Sequence, residues 1–252
     1  MKTVFAILLI NALAIAQSTE PGERWLQQAQ QDVHDQKLPK AESDLRKALA
    51  LWNQVWNHVE PKPPEYLEAL GLLGVIVEGR LIKTPNDLRT ELEPLLDETI
   101  HRIMSPGFPG SGLMAARVLD VYGILLQRTE RETEAAPFFA RAKALRFPQN
   151  QEPSGVAPLK IGDGIAPPRL RHKLEPEYAE DARIAKRQGT VVLSVVVDEN
   201  GAPRDIGIVR SLGLGLDEKA VECVKQWVFK PALKEGVPVP VQVTIEVNFR
   251  LL

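Results

Sequence analysis

Residues 239–251 read VPVQVTIEVNFRL, and this alternation decides the fold of the C-terminal part of the chain. Every second residue from Val239 to Leu251 is apolar. The residues that alternate with them, from Gln242 to Arg250, are polar or charged. Because successive side chains of a strand point to opposite faces, a period of two predicts a strand with one buried face and one solvated face.

Helices and strands of the same unit precede this last strand. The pattern predicts, in chain order, a short helix from Pro176 to Gly189, a valine-rich strand over 190–198, a tight turn at Asn200-Gly201 with positive φ angles, a strand over 206–210, and a helix over 217–227. Residues 169–252 are therefore expected to form an α+β domain. Its order is αββαβ, a three-stranded antiparallel sheet carrying two helices.

Residues 20–146 show a helical period instead, so the whole chain is classed as an all-helical part followed by an α+β part. Ala29 precedes Ala41 by twelve residues, and Gly123 precedes Ala135 by the same spacing. Small residues at such positions let two antiparallel helices approach closely. The spacing resembles the tetratricopeptide helix–turn–helix repeat, and it predicts three hairpins with an irregular middle one.

Two aromatic residues of this region, Trp52 and Trp56, lie one helical turn apart. They could line a peptide-binding groove, but aromatic residues mostly serve burial, so a core position is favoured.

A proline- and glycine-rich segment at 147–168 separates the two parts. Frequent proline and glycine residues interrupt helices, so this segment is predicted to be an extended linker.

The first sixteen residues predict export. Lys2 is followed by an apolar run that ends in Ala14-Ile15-Ala16, as in a secretory signal peptide. The run is shorter than the ~30 Å hydrocarbon core requires of a helix. A cleaved signal at 1–16 and a periplasmic protein are expected, and an uncleaved inner-membrane anchor is the alternative.

Composition excludes several classes of function. A net charge of −2 gives no general reason to expect nucleic acid as a partner. A single cysteine, Cys223, lies on the apolar stripe of a predicted helix, and four scattered histidines offer no metal-ligand spacing. No glycine-rich phosphate loop or nucleophile elbow is found, so we expect no metal, no cofactor and no enzymatic activity.

Residues 168–252 resemble the C-terminal domain of the TonB family, the energy transducers of Gram-negative outer-membrane transport. The matching motifs are Pro176-x-Tyr178, Ala182-Arg183, Gly189-x-Val191, Asp198-x-x-Gly201, Leu216-Asp217-x-x-Ala220, Trp227-x-Phe229-x-Pro231-Ala232 and Gly236-x-Pro238-Val239, followed by Val247-Asn248-Phe249. One departure is Ala179, where many members have proline.

The resemblance implies a binding module. In the family, this domain captures the TonB-box peptide of an outer-membrane TonB-dependent receptor as a strand added beside the last strand. Nutrient or siderophore transport is the process implied. The peptide-binding residues implied here are Glu175, Pro176, Glu177, Tyr178, Val243, Ile245, Val247 and Phe249. Tyr178 could equally pack only on the sheet.

The resemblance leaves other roles open. A full membrane anchor that engages the ExbB–ExbD motor is not seen in this sequence, which argues against that motor as a partner. The helical repeats are expected to recruit another envelope protein. The alternative is a soluble periplasmic adaptor whose TonB-like domain mediates attachment, or dimerisation through the last-strand edge.

Overall fold

The computed structural model describes residues 20–56, 64–79, 85–105, 108, 112–147, 157–162 and 164–251. The chain divides into two compact units, Met1–Arg146 and Phe147–Leu252. The predicted signal at 1–16 lies outside the described residues. Within those residues, no helix combines the length and the apolar character needed to cross a bilayer.

The first unit is helical in all its described elements, as predicted. Its helices are α1 (20–34), α2 (Leu38–Val55), α3 (Pro64–Gly79), α4 (Pro85–Ile103), α5 (Gly112–Arg128) and α6 (Glu132–Arg146). Helix α3 is buried on nearly every side because α2, α4 and α5 pack around it. Its composition explains this position, since its apolar residues do not segregate to one face.

Small residues allow close helix packing, as expected. A Cβ atom on Gly123 of α5 would lie 2.8 Å from the Phe139 ring of α6. Trp52 and Trp56 are buried and stacked, with ring centroids 5.4 Å apart, so the core interpretation of this pair is confirmed.

Buried ion pairs inside this unit join residues of different helices. Asp120 of α5 is fully buried and pairs with Arg146 of α6, whose side chain is only 5% exposed. The Glu78 carboxylate, also buried, forms an ion pair with Arg128 at 3.1 Å from its Nε, and Arg128 donates a hydrogen bond of 3.0 Å to the backbone carbonyl oxygen of Glu78. These pairs join α5, at its middle and its C-terminal end, to the C-terminal ends of α6 and α3.

The second unit contains nine strands and two helices in its described residues. They are β1 (Leu159–Lys160), β2 (Ile165–Ala166), β3 (Arg169–His172), α7 (Glu180–Ile184), β4 (Gly189–Val197), β5 (Pro203–Arg210), α8 (Leu216–Val224), β6 (Val228–Lys230), β7 (Ala232–Lys234), β8 (Val237–Val239) and β9 (Val241–Phe249). The main sheet has the order β1-β9-β4-β5, and smaller sheets are formed by β2-β7-β8 and by β3-β6.

The predicted core of this unit is confirmed: β4, β5 and β9 are antiparallel neighbours and the two helices accompany them. Val241, Ile245, Val247 and Phe249 are buried and Val243 is half-buried, whereas Gln242, Thr244, Glu246 and Asn248 are exposed. The strand begins at Val241 rather than Val239, because the chain first forms the β7–β8 hairpin.

The main sheet has four strands where three were predicted. The extra strand, β1, pairs in parallel with the start of β9 and lies in the segment predicted as a linker over 147–168. Ile165–Ala166 of that segment also pair, with β7. A two-residue strand among prolines and glycines carries no periodic signal, which is why the sequence pattern does not show it.

The bounds of three elements differ from the predicted ones. Helix α7 begins at Glu180 rather than Pro176, strand β5 begins at Pro203 rather than Ile206, and helix α8 ends at Val224 rather than Trp227.

Two further local predictions differ from the structure. The first helix ends at Ile184 rather than near Gly189, because Lys186 adopts φ 52° and the Arg187 N–H bonds to the Ala182 carbonyl oxygen. In the β4–β5 turn only Gly201, at φ 84°, has a positive φ angle. The turn is closed by the Asp198 carboxylate, which accepts hydrogen bonds from two N–H groups of the turn, at 2.9 and 2.7 Å.

Candidate functional site

The two edges of β9 are occupied to different extents. Strand β4 pairs with it along its whole length, from Val197 opposite Val241 to Gly189 opposite Phe249. On the other edge β1 reaches only Val241 and Gln242. Among the described residues, no strand pairs with this edge beyond Gln242. An edge of unpaired N–H and C=O groups is therefore left beside the second half of β9.

The backbone groups at this open edge belong to the even-numbered residues. The Leu159 N–H donates to the Pro240 carbonyl oxygen at 2.9 Å, so Pro240 presents its carbonyl to the β1 side. Backbone groups of successive strand residues point to alternate edges. Since the pairing of β9 with β4 runs without a register shift, Thr244, Glu246 and Asn248 present their N–H and C=O groups to the open edge.

The strand residues implied by the resemblance are odd-numbered, so their backbone groups do not face the open edge. Val243, Ile245, Val247 and Phe249 direct their side chains to the covered face and their backbone groups to β4. Their side chains pack in the core and hold the strand in place. The groups that an added strand would bond are those of Thr244, Glu246 and Asn248, which side-chain periodicity alone does not single out.

The opposite edge of the sheet, formed by β5, is less regular. Its pairing with β4 has two register shifts, and Asp205 adopts φ 48°. The strand also begins with Pro203, which has no N–H group. Bulges, proline and charges at an edge hinder further pairing. The β9 edge is therefore the better template for an added strand.

The segment from Glu175 to Tyr178 is held near the far end of β9. The Leu174 carbonyl oxygen accepts a hydrogen bond from Trp227 Nε1 at 2.9 Å and one from Cys223 Sγ at 3.0 Å. Tyr178 lies edge-on to the Phe249 ring, with centroids 5.7 Å apart. Both interactions fix the segment against the domain.

Tyr178 combines packing with partial exposure. Its side chain is half-buried, and its hydroxyl donates a hydrogen bond to the Arg187 carbonyl oxygen. Burial raises the pKa of this phenol above its ordinary value. The ring therefore supports Phe249 and leaves part of its surface beside the end of the open edge.

The two glutamates of the segment are solvated and paired with lysines. The Glu175 carboxylate lies 2.7 Å from Lys173 Nζ, and the Glu177 carboxylate lies 2.8 Å from Lys219 Nζ. The hydrogen bond from Lys219 lowers the pKa of Glu177 below its ordinary value. Both carboxylates are exposed and face solvent, where a ligand can reach them.

The loop before α8 is closed by a buried carboxylate. Asp217 is 1% exposed and accepts hydrogen bonds from the Ser211 hydroxyl, from the Leu212 N–H at 2.9 Å and from the Gly213 N–H at 3.3 Å. These amides are already bonded to a carboxylate, so the glycines of this loop serve its shape rather than a phosphate.

Among the residues that the structure describes, no group of three His, Cys, Asp or Glu residues could hold a metal ion. Cys223 is buried, and burial raises the pKa of its thiol.

Comparison with known proteins identifies the second unit. Residues 175–251 match the family model described as "Gram-negative bacterial TonB protein C-terminal". These residues form a TonB C-terminal domain. The family recognised in the sequence is therefore confirmed for this part of the chain.

Two curated relatives of this TonB domain show the extent of the likeness. The chain is 32% identical to "Protein TonB" of Vibrio cholerae over 111 residues, which is 40% of this chain and 45% of the relative. It is 36% identical to "Protein tonB2" of Pseudomonas aeruginosa over 81 residues, which is 32% of this chain and 30% of the relative. The chain thus spans less than half the length of the curated relatives it matches.

Proposed function

We propose that the TonB C-terminal domain binds an extended peptide of an outer-membrane TonB-dependent receptor, and that the protein thereby takes part in transport across the outer membrane. The observation that carries this proposal is the open edge of β9 from Thr244 to Asn248. An extended peptide can satisfy such an edge by adding a strand, with its main chain giving affinity and its side chains giving specificity. The role is binding rather than catalysis.

The strength of such binding can be bounded. Three outward residues offer six backbone groups, and a net hydrogen bond contributes about 0.5–1.5 kcal/mol. Ordering a five-residue peptide costs about 1–2 kcal/mol per residue. These terms nearly cancel, so side-chain contacts must supply most of the affinity. Exposed surface for such contacts exists at Tyr178 and at Ile161, which is 46% exposed. The expected complex is transient.

The intact chain is proposed to act in the periplasm, after removal of residues 1–16. Its helical unit is proposed to recruit a second envelope protein, because helical hairpin stacks commonly present binding surfaces. Self-association of two chains through the β9 edge would compete with peptide binding, since one edge cannot hold two strands.

The test is amide NMR on the full chain, titrated with peptides from receptor plugs. The peptide should shift the amides of Thr244, Glu246 and Asn248 and slow their hydrogen exchange. The amides of Val243, Ile245 and Val247, already bonded to β4, should change less. The amides of β5 act as an internal control, since they lie on the opposite edge. Absence of a shift in the even-numbered amides would contradict the proposal.

A further inference from the structure

The two-stranded sheet β3-β6 presents a positively charged face. Arg169 and Lys230 are Cα partners across the two strands, and His172 lies opposite Val228. All four residues are exposed. Arg171, at the irregular step between Leu170 and His172, is exposed as well. We call Arg169, Arg171, His172 and Lys230 the basic ribbon.

Acidic residues are missing from the segments that build the basic ribbon. Residues 164–174 contain three Lys or Arg and no Asp or Glu, and residues 223–234 contain another three with no acid. Lys173 pairs with Glu175 outside the ribbon. Arg169, Arg171 and Lys230 form no ion pair with any other residue that the structure describes. The ribbon is therefore a local excess of positive charge on a chain whose net charge is −2.

The arrangement of these charges favours an anionic partner. Like charges directly opposite each other on two strands destabilise the pair. A carboxylate placed between Arg169 and Lys230 would relieve this repulsion. The planar guanidinium of Arg169 can donate hydrogen bonds to both carboxylate oxygens. The exposed apolar residues of the two strands are Val228 and Leu170, which is the Cα partner of the buried Phe229. Two such residues offer little apolar surface to a lipid bilayer. Acidic side chains of a polypeptide fit the ribbon better than a membrane does.

The basic ribbon lies within reach of the open edge of β9. Tyr178 follows His172 by six positions, and an extended chain covers at most ~22 Å over six positions. Tyr178 in turn contacts Phe249 at the end of β9. A peptide added beside β9 can therefore continue to the ribbon within a few residues. Once the strand is docked, a flanking acidic segment would be held at high effective concentration.

We infer that the basic ribbon binds acidic residues that flank the strand-forming segment of the peptide ligand. This inference rests on the function proposed above, and it names the chemistry of the partner beyond the strand itself. The ribbon contributes an ionic contact and electrostatic steering, whereas the β9 edge contributes main-chain hydrogen bonds. Binding should accordingly weaken as salt rises.

The experiment compares two receptor-plug peptides with the same strand-forming segment, one flanked by four Glu and the other by four Gln. Affinities for the full chain are measured by fluorescence anisotropy at 25 mM and 300 mM NaCl. The Glu-flanked peptide should bind at least tenfold more tightly at low salt, and this advantage should largely disappear at high salt.

The double variant Arg169→Gln/Lys230→Gln should remove the advantage and leave binding of the Gln-flanked peptide unchanged. The matched control is Arg210→Gln, which removes an exposed arginine of β5. This variant should keep the tighter binding of the Glu-flanked peptide.

The possible outcomes separate the two proposals. Equal affinity of both peptides, with the amide shifts of Thr244, Glu246 and Asn248 intact, would overturn the role of the ribbon and leave strand addition standing. If neither peptide shifts those amides, strand addition fails, and the ribbon is tested by a (Glu-Ser)4 peptide alone. Binding of that peptide that the double variant abolishes would support the ribbon, and no binding would overturn it. Stronger binding to phosphatidylglycerol vesicles than to any acidic peptide would also overturn it.

Discussion

A proline at position 246 tests which backbone groups of β9 face the open edge. Glu246 lies in the middle of that edge, opposite Val192 of β4, and its side chain is exposed. Glu246→Pro removes its N–H group and places a ring where an added strand would approach. Because this N–H is not part of the ladder with β4, the fold should tolerate the substitution, as proline is tolerated on strand edges. Glu246→Ala is the matched control, since it removes the same carboxylate and keeps the N–H.

The magnitude follows from the group that is left without a partner. A peptide carbonyl deprived of its donor in the complex costs about 1–3 kcal/mol. This corresponds to a loss of affinity of about 5- to 150-fold relative to Glu246→Ala. The free energy of unfolding should fall by less than ~1 kcal/mol, because the ladder with β4 keeps all of its hydrogen bonds.

Peptide titration gives the affinity, and urea denaturation of the C-terminal unit gives its stability. Equal affinities of the two variants would refute the assignment of the edge. So would a loss of about 3 kcal/mol or more in stability for Glu246→Pro, which is the cost of proline in the interior of a hydrogen-bonded element. In that case the even-numbered N–H groups would be bonding β4.

Three further predictions concern the two units. Gly201→Ala should destabilise the C-terminal unit by more than Gly236→Ala does, because both glycines have φ near +84° but only at Gly201 would a Cβ lie 2.0 Å from a backbone oxygen. The cost is about 1–2 kcal/mol for the backbone at Gly236 and at least ~1 kcal/mol more at Gly201, by urea denaturation. Cys223 should resist maleimide at pH 7 until the chain unfolds, because its side chain is buried and burial also raises the pKa of the thiol. Asp120→Asn should cost about 3–5 kcal/mol in the helical unit, since it removes the charge of one partner of a buried ion pair with Arg146.

Each of these has a result that would contradict it. Equal losses for the two glycine variants would mean that the turn moves away from β6 without cost. Rapid labelling of Cys223 in the native chain would mean that α8 is not packed as described. An unchanged denaturation midpoint for Asp120→Asn would show that the charge of this aspartate is not needed to hold α5 and α6 together.

The sequence predicts side-chain faces well and backbone edges poorly. The alternation along β9 and the valine-rich β4 identify the buried face, because burial of alternate side chains leaves a direct trace in residue type. Which backbone groups are free depends on which neighbour lies on which side of the strand. For this reason Thr244, Glu246 and Asn248 are found only in the structure.

Long-range pairs and very short elements also escape sequence reasoning. Asp120 and Arg146 are 26 residues apart, and the sequence around each of them does not predict that they pair. The strand Leu159–Lys160 is too short to show a period. By contrast, the sequence correctly predicts that Trp52 and Cys223 lie in the core, because each belongs to an apolar stripe of a helix.

The attachment of β1 to β9 has a mechanical consequence. The chain enters the main sheet at Leu159, so tension applied to the segment before residue 157 reaches β9 first through the few hydrogen bonds of this two-residue strand. The chain then runs through β2 and β3, which pair with β7 and β6, so the nine-residue ladder between β4 and β9 bears load only after those shorter pairings have also broken. Pulling would therefore detach β1 at low force, leave the core of the domain intact, and lengthen the exposed edge of β9 by the N–H and C=O groups of Gln242.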